Sequence, residues 1–167
     1  MSLRVTLRER MMVVWAGEPW HGKSSKAILA DVTAAEAAER VMLGAPTIWE
    51  STLHQLAWTE EVAARLAGGG GQIPAHGDWP AVPAVADTTD AAWAATQESL
   101  KSARYALLAA LEKAHEEDLF LQVPKSVTGE GGSSMTRAQT VAGLIDHDIY
   151  HMAQVAMLKK VMRSRGA

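Results

Sequence analysis

Two histidines near the end of the chain have the type and spacing expected of metal ligands. His147 and His151 are four residues apart, about one helical turn, so a helix would project both imidazoles from the same face. Such a pair can bind one transition metal, as in the zincin pattern. The zincin glutamate is missing because Asp148 follows His147, so this is not a metalloprotease motif. The pair predicts a metal site that needs a third ligand from elsewhere.

The helix predicted around this pair has suitable signals at both ends. Thr136 and Gln139 form the pattern of a capping box at its start, and lysines and arginines cluster near its end, where cations complement the helix dipole. On a helical wheel both histidines fall on the apolar stripe, together with Leu144, Val155 and Leu158. Buried imidazole nitrogens need partners. The sequence therefore favours a metal, with a hydrogen-bonded pair of core histidines as the alternative.

His54 is the best candidate for the third ligand, since it lies in the middle of another predicted helix. Three histidines from two helices would leave open positions on the metal, which is typical of catalytic sites. On its helical wheel, however, His54 lies away from the apolar arc and among polar side chains. These neighbours are Thr47, Glu50, Ser51, Trp58, Glu61 and Arg65.

Two interpretations of this polar stripe stay open. In one, His54 is an ordinary solvent-exposed histidine. In the other, the stripe lines a cavity, and another helix or a second subunit covers the apolar arc. In that case Glu50 or Glu61 is expected to be the general base, or an outer hydrogen-bond acceptor for the metal ligands.

Length and composition restrict the class of protein. At 167 residues the chain fits one domain, residues 1–167, with a sizeable core. The net charge of −3 gives no electrostatic basis for binding nucleic acid. Cysteine is absent, which excludes disulfides, thiolate ligands and a cysteine nucleophile. No apolar run approaches the ~20 residues of a membrane span, so we expect a soluble, cytoplasmic protein without a membrane partner.

The pattern of helix formers, caps and turn residues predicts an all-α protein. Predicted helices cover residues 3–15, 24–30, 33–41, 47–67 and 89–115, and a last helix begins at Thr136. This pattern indicates a four-helix bundle with short extra helices near the N-terminus. The long connection over residues 68–87 favours a crossover loop between helices that run parallel. Residues 119–135 are predicted to form a second loop.

Four segments of the chain resemble a known family. They are Pro19-Trp20-His21-Gly22, Thr47-Ile48-Trp49-Glu50 leading to His54 and Trp58, Asp78-Trp79-Pro80, and the stretch from His147 to Gln154. Over nearly its whole length the chain resembles the DinB/YfiT-like superfamily of metalloenzymes, which is distinct from the DNA polymerases that share the DinB name.

This resemblance implies a metal triad of His54, His147 and His151 in a four-helix bundle that is commonly a homodimer. The implied metal is a divalent transition ion, with Zn²⁺ or Ni²⁺ favoured. Some members of the superfamily transfer low-molecular-weight thiols or use them in isomerisation. A chain without cysteine is compatible with thiol transfer, because the thiol would arrive with the substrate.

The leading hypothesis is a metal-dependent thiol S-transferase or hydrolase that acts on a small molecule. A metal with open positions can lower the pKa of a water molecule or a thiol. Glu50 or Glu61 would then act as base, and residues 68–87 as a lid. The alternative is a non-catalytic helical bundle that binds a ligand or a protein partner. A third hypothesis keeps the histidines as a buried polar network without metal.

Overall fold

The structure of the chain is a computed structural model that describes residues 2–84, 87–125 and 134–165. Six α-helices and a short 3₁₀-helix, Glu117–Phe120, account for most of these residues, and no strand forms within them. The α-helices are α1 Leu3–Ala16, α2 Ser25–Leu29, α3 Ala34–Ala38, α4 Ile48–Leu66, α5 Asp90–Lys113 and α6 Arg137–Arg165. The prediction of an all-α bundle with short extra helices near the N-terminus is confirmed.

The element bounds differ from the prediction in two places. Helix α3 ends earlier than predicted because Glu39 already has an extended backbone, with φ −67° and ψ 125°. The predicted loop over residues 119–135 starts inside the 3₁₀-helix, and its residues 126–133 lie outside the part of the chain that the structure describes. Among the helices that are described, none is long and apolar enough to cross a bilayer.

Local hydrogen bonds define both ends of α4. At its start, the Thr47 hydroxyl accepts from the Glu50 N–H at 3.1 Å, and the Glu50 carboxylate accepts from the Thr47 N–H at 2.7 Å. This reciprocal pair is a capping box. At its end, Gly68 has a φ of 101°, a conformation that favours glycine, and the N–H groups there donate back to carbonyls of the last turn. The helix therefore stops where the predicted crossover loop begins.

The long helices form a bundle in which α1 and α4 occupy one pair of opposite corners, and α5 and α6 the other. Close backbone contacts join α4 to α5 and α6, and join α1 to the same two helices. Near the starts of α4 and α5, Trp49 Nε1 donates to Thr96 Oγ1 at 3.0 Å, and the Trp49 and Trp93 rings are 5.2 Å apart. Further along, Ala63 on α4 and Ala106 on α5 line the same surface depression. Helices α4 and α5 therefore run parallel, as the crossover prediction requires.

A polar layer crosses the middle of the bundle and separates two hydrophobic clusters. One cluster contains Trp49 and Val155, and the other contains Val62 and Ile145. Between them along the helices lie the buried polar residues Ser51, Thr52, His54, Gln55, Thr59, Arg104, Asp148 and His151. The serine and threonine hydroxyls of this layer donate to carbonyls four residues earlier in α4. They are therefore satisfied within their own helix, whereas Arg104, Asp148 and His54 find partners on other elements.

A buried ion pair joins opposite corners of the bundle through this layer. Arg104 Nη2 on α5 donates to Asp148 Oδ1 on α6, and the two side chains are only 1% and 7% exposed. Burial raises the pKa of Asp148 to about 6, although the charge and hydrogen bond of Arg104 act to lower it. Because Asp148 directly follows His147, this pair also holds the segment of α6 that carries the predicted metal ligand.

Removing one partner of this pair should destabilise the protein strongly. We expect Asp148→Leu to lower the free energy of unfolding by about 3–5 kcal/mol, because the guanidinium stays buried without a counter-charge. The double variant Arg104→Met/Asp148→Leu should recover most of that loss, since both charges are then removed. Urea denaturation of the single variants and the double variant measures this. A double variant less stable than either single variant would contradict it.

Candidate metal centre

The structure brings His54, His147 and His151 together between α4 and α6. One ring nitrogen from each histidine lies within 4.8 Å of the other two. The three ring centroids are 4.4, 4.7 and 4.8 Å apart, and His54 Nε2 is 2.9 Å from His147 Nε2. The predicted triad therefore occupies one small volume in the polar layer.

The burial of His54 decides between the two interpretations of the polar stripe on α4. His54 is only 4% exposed, and Glu61 and Arg65 on the same stripe are 4% and 8% exposed. The interpretation of His54 as a solvent-exposed histidine is therefore wrong. The stripe faces α6 and the chain that follows α4, and its polar groups find their hydrogen-bond partners there.

Hydrogen bonds hold the outward nitrogens of two of the histidines. His54 Nδ1 donates to the backbone carbonyl of Asp78 at 2.5 Å, and His151 Nδ1 donates to Gln154 Oε1 at 2.9 Å. These acceptors keep the proton on Nδ1, so the Nε2 of each ring is left as an unprotonated ligand. The Nδ1 of His147 is buried and has no hydrogen-bond partner among the residues that the structure describes.

This donor set fits a divalent transition metal. Two nitrogens bound to one ion at about 2.0–2.1 Å lie about 2.9–3.4 Å apart, and the 2.9 Å between His54 Nε2 and His147 Nε2 falls in that range. Because the proton of His54 is on Nδ1, its Nε2 accepts a hydrogen bond from His147 Nε2 in the metal-free protein, and an ion bound by both nitrogens would replace that proton. Imidazole donors suit several such ions, including Zn²⁺ and Ni²⁺.

Burial keeps the imidazoles in the neutral form that binds metal. It lowers the pKa of His147 to about 4, and the nearby rings of His151 and His54 act in the same direction. The pKa of His151 is also lowered, first by burial and then by His54. At neutral pH both rings are therefore uncharged, which is the state in which an imidazole binds a metal.

The chain that follows α4 covers one side of the triad. The Trp79 ring stacks on His54, with centroids 4.0 Å apart and planes 9° apart, and it meets His151 edge-on at 5.8 Å. Asp78 Oδ1 accepts from Trp58 Nε1 at 2.7 Å. The sequence predicts only that residues 68–87 form a lid, and it assigns Asp78 and Trp79 no contact with the histidines, because a loop residue has no periodicity that could place it. The Asp78-Trp79-Pro80 segment had contributed only to the family resemblance.

The two candidate bases, Glu50 and Glu61, take part in other interactions. Glu50 pairs with Arg40 at 2.5 Å. Although burial acts to raise it, the pKa of Glu50 is lowered by the backbone N–H of the helix cap and by Arg40, which makes it a weaker proton acceptor. Glu61 Oε1 accepts from Arg65 Nε at 2.8 Å and from the Gln72 N–H at 3.1 Å. A catalytic role for either glutamate stays a prediction.

Comparison with known proteins gives one match. A family model described as the DinB superfamily matches residues 20–155, a stretch that contains the three histidines and the loop over them. Comparisons with curated proteins and with solved structures gave no match. The family match covers most of the chain, and it agrees with the resemblance carried by the histidine and tryptophan segments.

Acidification should destabilise the metal-free wild-type protein relative to a His147→Gln variant. In the folded state the pKa of His147 is about 4, below its ordinary value of 6.5, so the unfolded chain takes up the proton first as the pH falls. The free energy of unfolding is therefore unaffected by His147 above pH 6.5, and it falls progressively as the pH drops from 6.5 toward 4. Glutamine does not titrate, so the variant lacks this loss.

Denaturant unfolding in the presence of a chelator, at several pH values from neutral down to the folded pKa of His147, measures this difference. The comparison with the variant is needed because Asp148 acts in the opposite direction. Its pKa is raised to about 6, so the folded state takes up that proton before the unfolded chain does. A difference between wild type and variant that stays constant over this range would show that His147 is not buried as a neutral ring.

Proposed function

The chain belongs to the DinB superfamily, and we propose that it is a metal-dependent enzyme that acts on a small molecule. His54, His147 and His151 bind one divalent transition ion in this proposal, with Zn²⁺ or Ni²⁺ favoured. The observation that carries it is the convergence of three ring nitrogens from two helices within 4.8 Å. The outward nitrogens of His54 and His151 already have acceptors, which is the arrangement that orients imidazoles toward a metal.

Each neighbouring group has a defined task in such a site. The Asp78 carbonyl and Gln154 hold the protons of His54 and His151 on Nδ1. The stacked ring of Trp79 excludes water from one side of His54. When bound, the ion supplies Lewis-acid chemistry, which includes lowering the pKa of a water molecule or a thiol. The residues of the chain thus supply neutral, oriented and partly dehydrated ligands.

A depression beside Trp79 supports the proposal of a small-molecule substrate. Its volume is ≈ 590 Å³, and it is lined by Trp79, Pro46, Val82, Arg40 and Glu50 among other residues. Sites for small molecules typically have volumes of about 300–1,000 Å³. We assign this depression to the substrate. None of the three histidines lines it, and Trp79, which stacks on His54, lies between, so a substrate there reaches the ion only when the loop over the triad moves as a lid. A low-molecular-weight thiol is one candidate, because a chain without cysteine needs a thiol supplied from outside for thiol transfer.

The second candidate function is a non-catalytic bundle that binds a ligand or partner. The observation that favours it is the engagement of both candidate bases, since Glu50 is bonded to Arg40 and Glu61 to Arg65. A site without a free base would still bind metal and ligand. If the protein is instead an enzyme, hydrolysis or thiol transfer would depend on the bound metal ion and on acid or base groups of the substrate itself, because neither glutamate is free.

We also propose that the protein forms a homodimer, as the resemblance implies. Large apolar side chains on the outer face of α6 support this part of the proposal, because Tyr150 and Met157 are 61% and 67% exposed. Tyr150 and Met157 are seven residues apart and so lie on the same side of α6, and a contiguous apolar patch on an exposed face is where proteins associate.

Wild-type protein purified without a metal-affinity tag should contain about one equivalent of Zn or Ni, as a single three-histidine site requires. Each of His54→Ala and His147→Ala should lose this metal, because two imidazoles bind a divalent ion much more weakly than three. His115→Ala, which changes an exposed histidine outside the triad, serves as the matched control and should keep it. Elemental analysis measures the content. A wild-type protein that contains neither metal and takes up neither when it is added would overturn the proposal.

The catalytic part of the proposal has a separate test. Metal-loaded wild type should turn over at least one member of a panel of thiol-transfer and hydrolysis substrates. The His147→Ala variant should lose that activity while its circular dichroism spectrum stays helical, because the metal is lost and the bundle is not. Turnover in the variant equal to that of the wild type would contradict metal-dependent catalysis. A metal-loaded protein that binds panel members without turnover would favour the non-catalytic candidate.

A further inference from the structure

Four side chains of α4 form one continuous face that contacts the following loop. His54, Trp58, Glu61 and Arg65 are spaced by four, three and four residues, so they lie one above another on the same side of the helix. We refer to this set as the anchoring face of α4. Each member contacts the segment 72–79, and this explains why the polar stripe on α4 is buried.

The first anchor is the backbone of Gln72. Glu61 Oε1 accepts from the Gln72 N–H at 3.1 Å, and Arg65 Nη2 donates to the Gln72 carbonyl at 2.9 Å. Glu61 and Arg65 are themselves paired at 2.8 Å, with side chains that are 3% and 10% exposed. A buried, charge-assisted pair that binds both polar groups of one residue fixes the start of the segment in position.

The second anchor is Asp78. Its carboxylate accepts from Trp58 Nε1 at 2.7 Å, and its backbone carbonyl accepts from His54 Nδ1 at 2.5 Å. The next residue, Trp79, stacks on the His54 ring. The Asp78 side chain is 52% exposed, so water competes for this part of the loop. The indole N–H of Trp58 holds the carboxylate against that competition, and the same Oδ1 also lies 3.4 Å from His54 Nδ1.

We propose that Asp78 is a positioning residue for the metal centre, and that Trp58 together with the Glu61–Arg65 pair holds it in place. The carbonyl of Asp78 keeps the His54 proton on Nδ1 and leaves Nε2 free as the ligand. The anchoring face thus couples the conformation of the loop to the ligand geometry of a histidine in the adjacent helix. This inference rests on the proposed metal site, but the state of the His54 ring can be measured without metal.

The test compares two Trp→Phe substitutions on the same helix. Trp58→Phe removes the indole N–H that holds Asp78 and keeps an aromatic ring. Trp49→Phe is the matched control, because the hydrogen bond and ring contact of Trp49 are with Thr96 and Trp93 on α5. Asp78→Asn keeps an oxygen acceptor for Trp58, whereas Asp78→Ala removes it. Comparing these two variants distinguishes the effect of losing this hydrogen bond from the effect of changing the loop in general.

Two readouts are measured for every variant. One is the Kd for Zn²⁺, by competition with a chromophoric chelator. The other is the tautomer of His54 in metal-free protein, from the imidazole ¹⁵N shifts. Trp58→Phe and Asp78→Ala should each weaken Zn²⁺ binding by about 10–100-fold, as loss of an outer hydrogen bond to a ligand does. In both variants, part of the His54 population should also change from the Nδ1–H tautomer to the Nε2–H tautomer. Trp49→Phe and Asp78→Asn should stay close to wild type in both readouts.

The outcomes separate this inference from the proposed function. A wild type that binds no Zn²⁺, but whose His54 tautomer changes in Trp58→Phe and not in Trp49→Phe, would overturn the metal proposal and keep the positioning role. A wild type that binds Zn²⁺, with the Kd and tautomer unchanged in Trp58→Phe and Asp78→Ala, would overturn the positioning role. Equal changes in Trp58→Phe and Trp49→Phe would also overturn it, because they would reflect stability alone.

Discussion

Polar nitrogens buried inside an apolar bundle must have partners, and the rest of this structure is arranged around that constraint. Three imidazoles and one ion pair share a single layer between two hydrophobic clusters. Leaving such a group unpaired would cost several kcal/mol, which is a large part of the free energy of unfolding of a typical domain. The backbone of the loop, the amide of Gln154 and the Arg104–Asp148 pair supply partners, and His54 and His147 share a hydrogen bond that a metal would replace. Within the described part of the chain, His147 Nδ1 and two nitrogens of Arg104 have no hydrogen-bond partner.

The same low-dielectric environment has different effects on the two kinds of group in this layer. For the histidines it disfavours the charged form, so the pKa of His147 falls to about 4 and the ring stays neutral. For the ion pair it makes the carboxyl group of Asp148 costly to charge without Arg104 beside it. The histidine ligands are neutral, and the charge of Arg104 is balanced by Asp148 beside it. A divalent cation bound by the three imidazoles would therefore meet no positively charged ligand.

The crossover loop has a structural consequence beyond connecting two parallel helices. A connection of this length can return along α4 before it reaches α5, and the anchoring face of α4 holds it there through Gln72 and Asp78. The polar stripe that would be solvated on an isolated helix is thereby buried beside the triad. The fold thus builds one wall of its candidate metal centre from the loop, through the Asp78 carbonyl and the Trp79 ring.

Much of the fold and part of the site follow from local features of the sequence. Helix starts, capping boxes such as Thr136 with Gln139, and the stop after α4 depend on residues within one or two turns. The shared face of His147 and His151 is equally local, because a spacing of four residues determines it in any helix. These features needed no tertiary contact, and the structure agrees with each of them.

Only the tertiary structure decided where His54 points and what holds it. Its nearest ligand partner, His147, is 93 residues away in the chain, and its acceptor belongs to a loop without periodicity. A helical wheel shows which side chains share a face, but it does not show which element covers that face. The order of helices around the bundle, the Arg104–Asp148 pair across its diagonal and the role of Asp78 depend in the same way on packing between distant segments. The sequence alone therefore determined the helices and the histidine pair, whereas the enclosed three-histidine site exists only because the folded chain brings distant polar groups together to satisfy them.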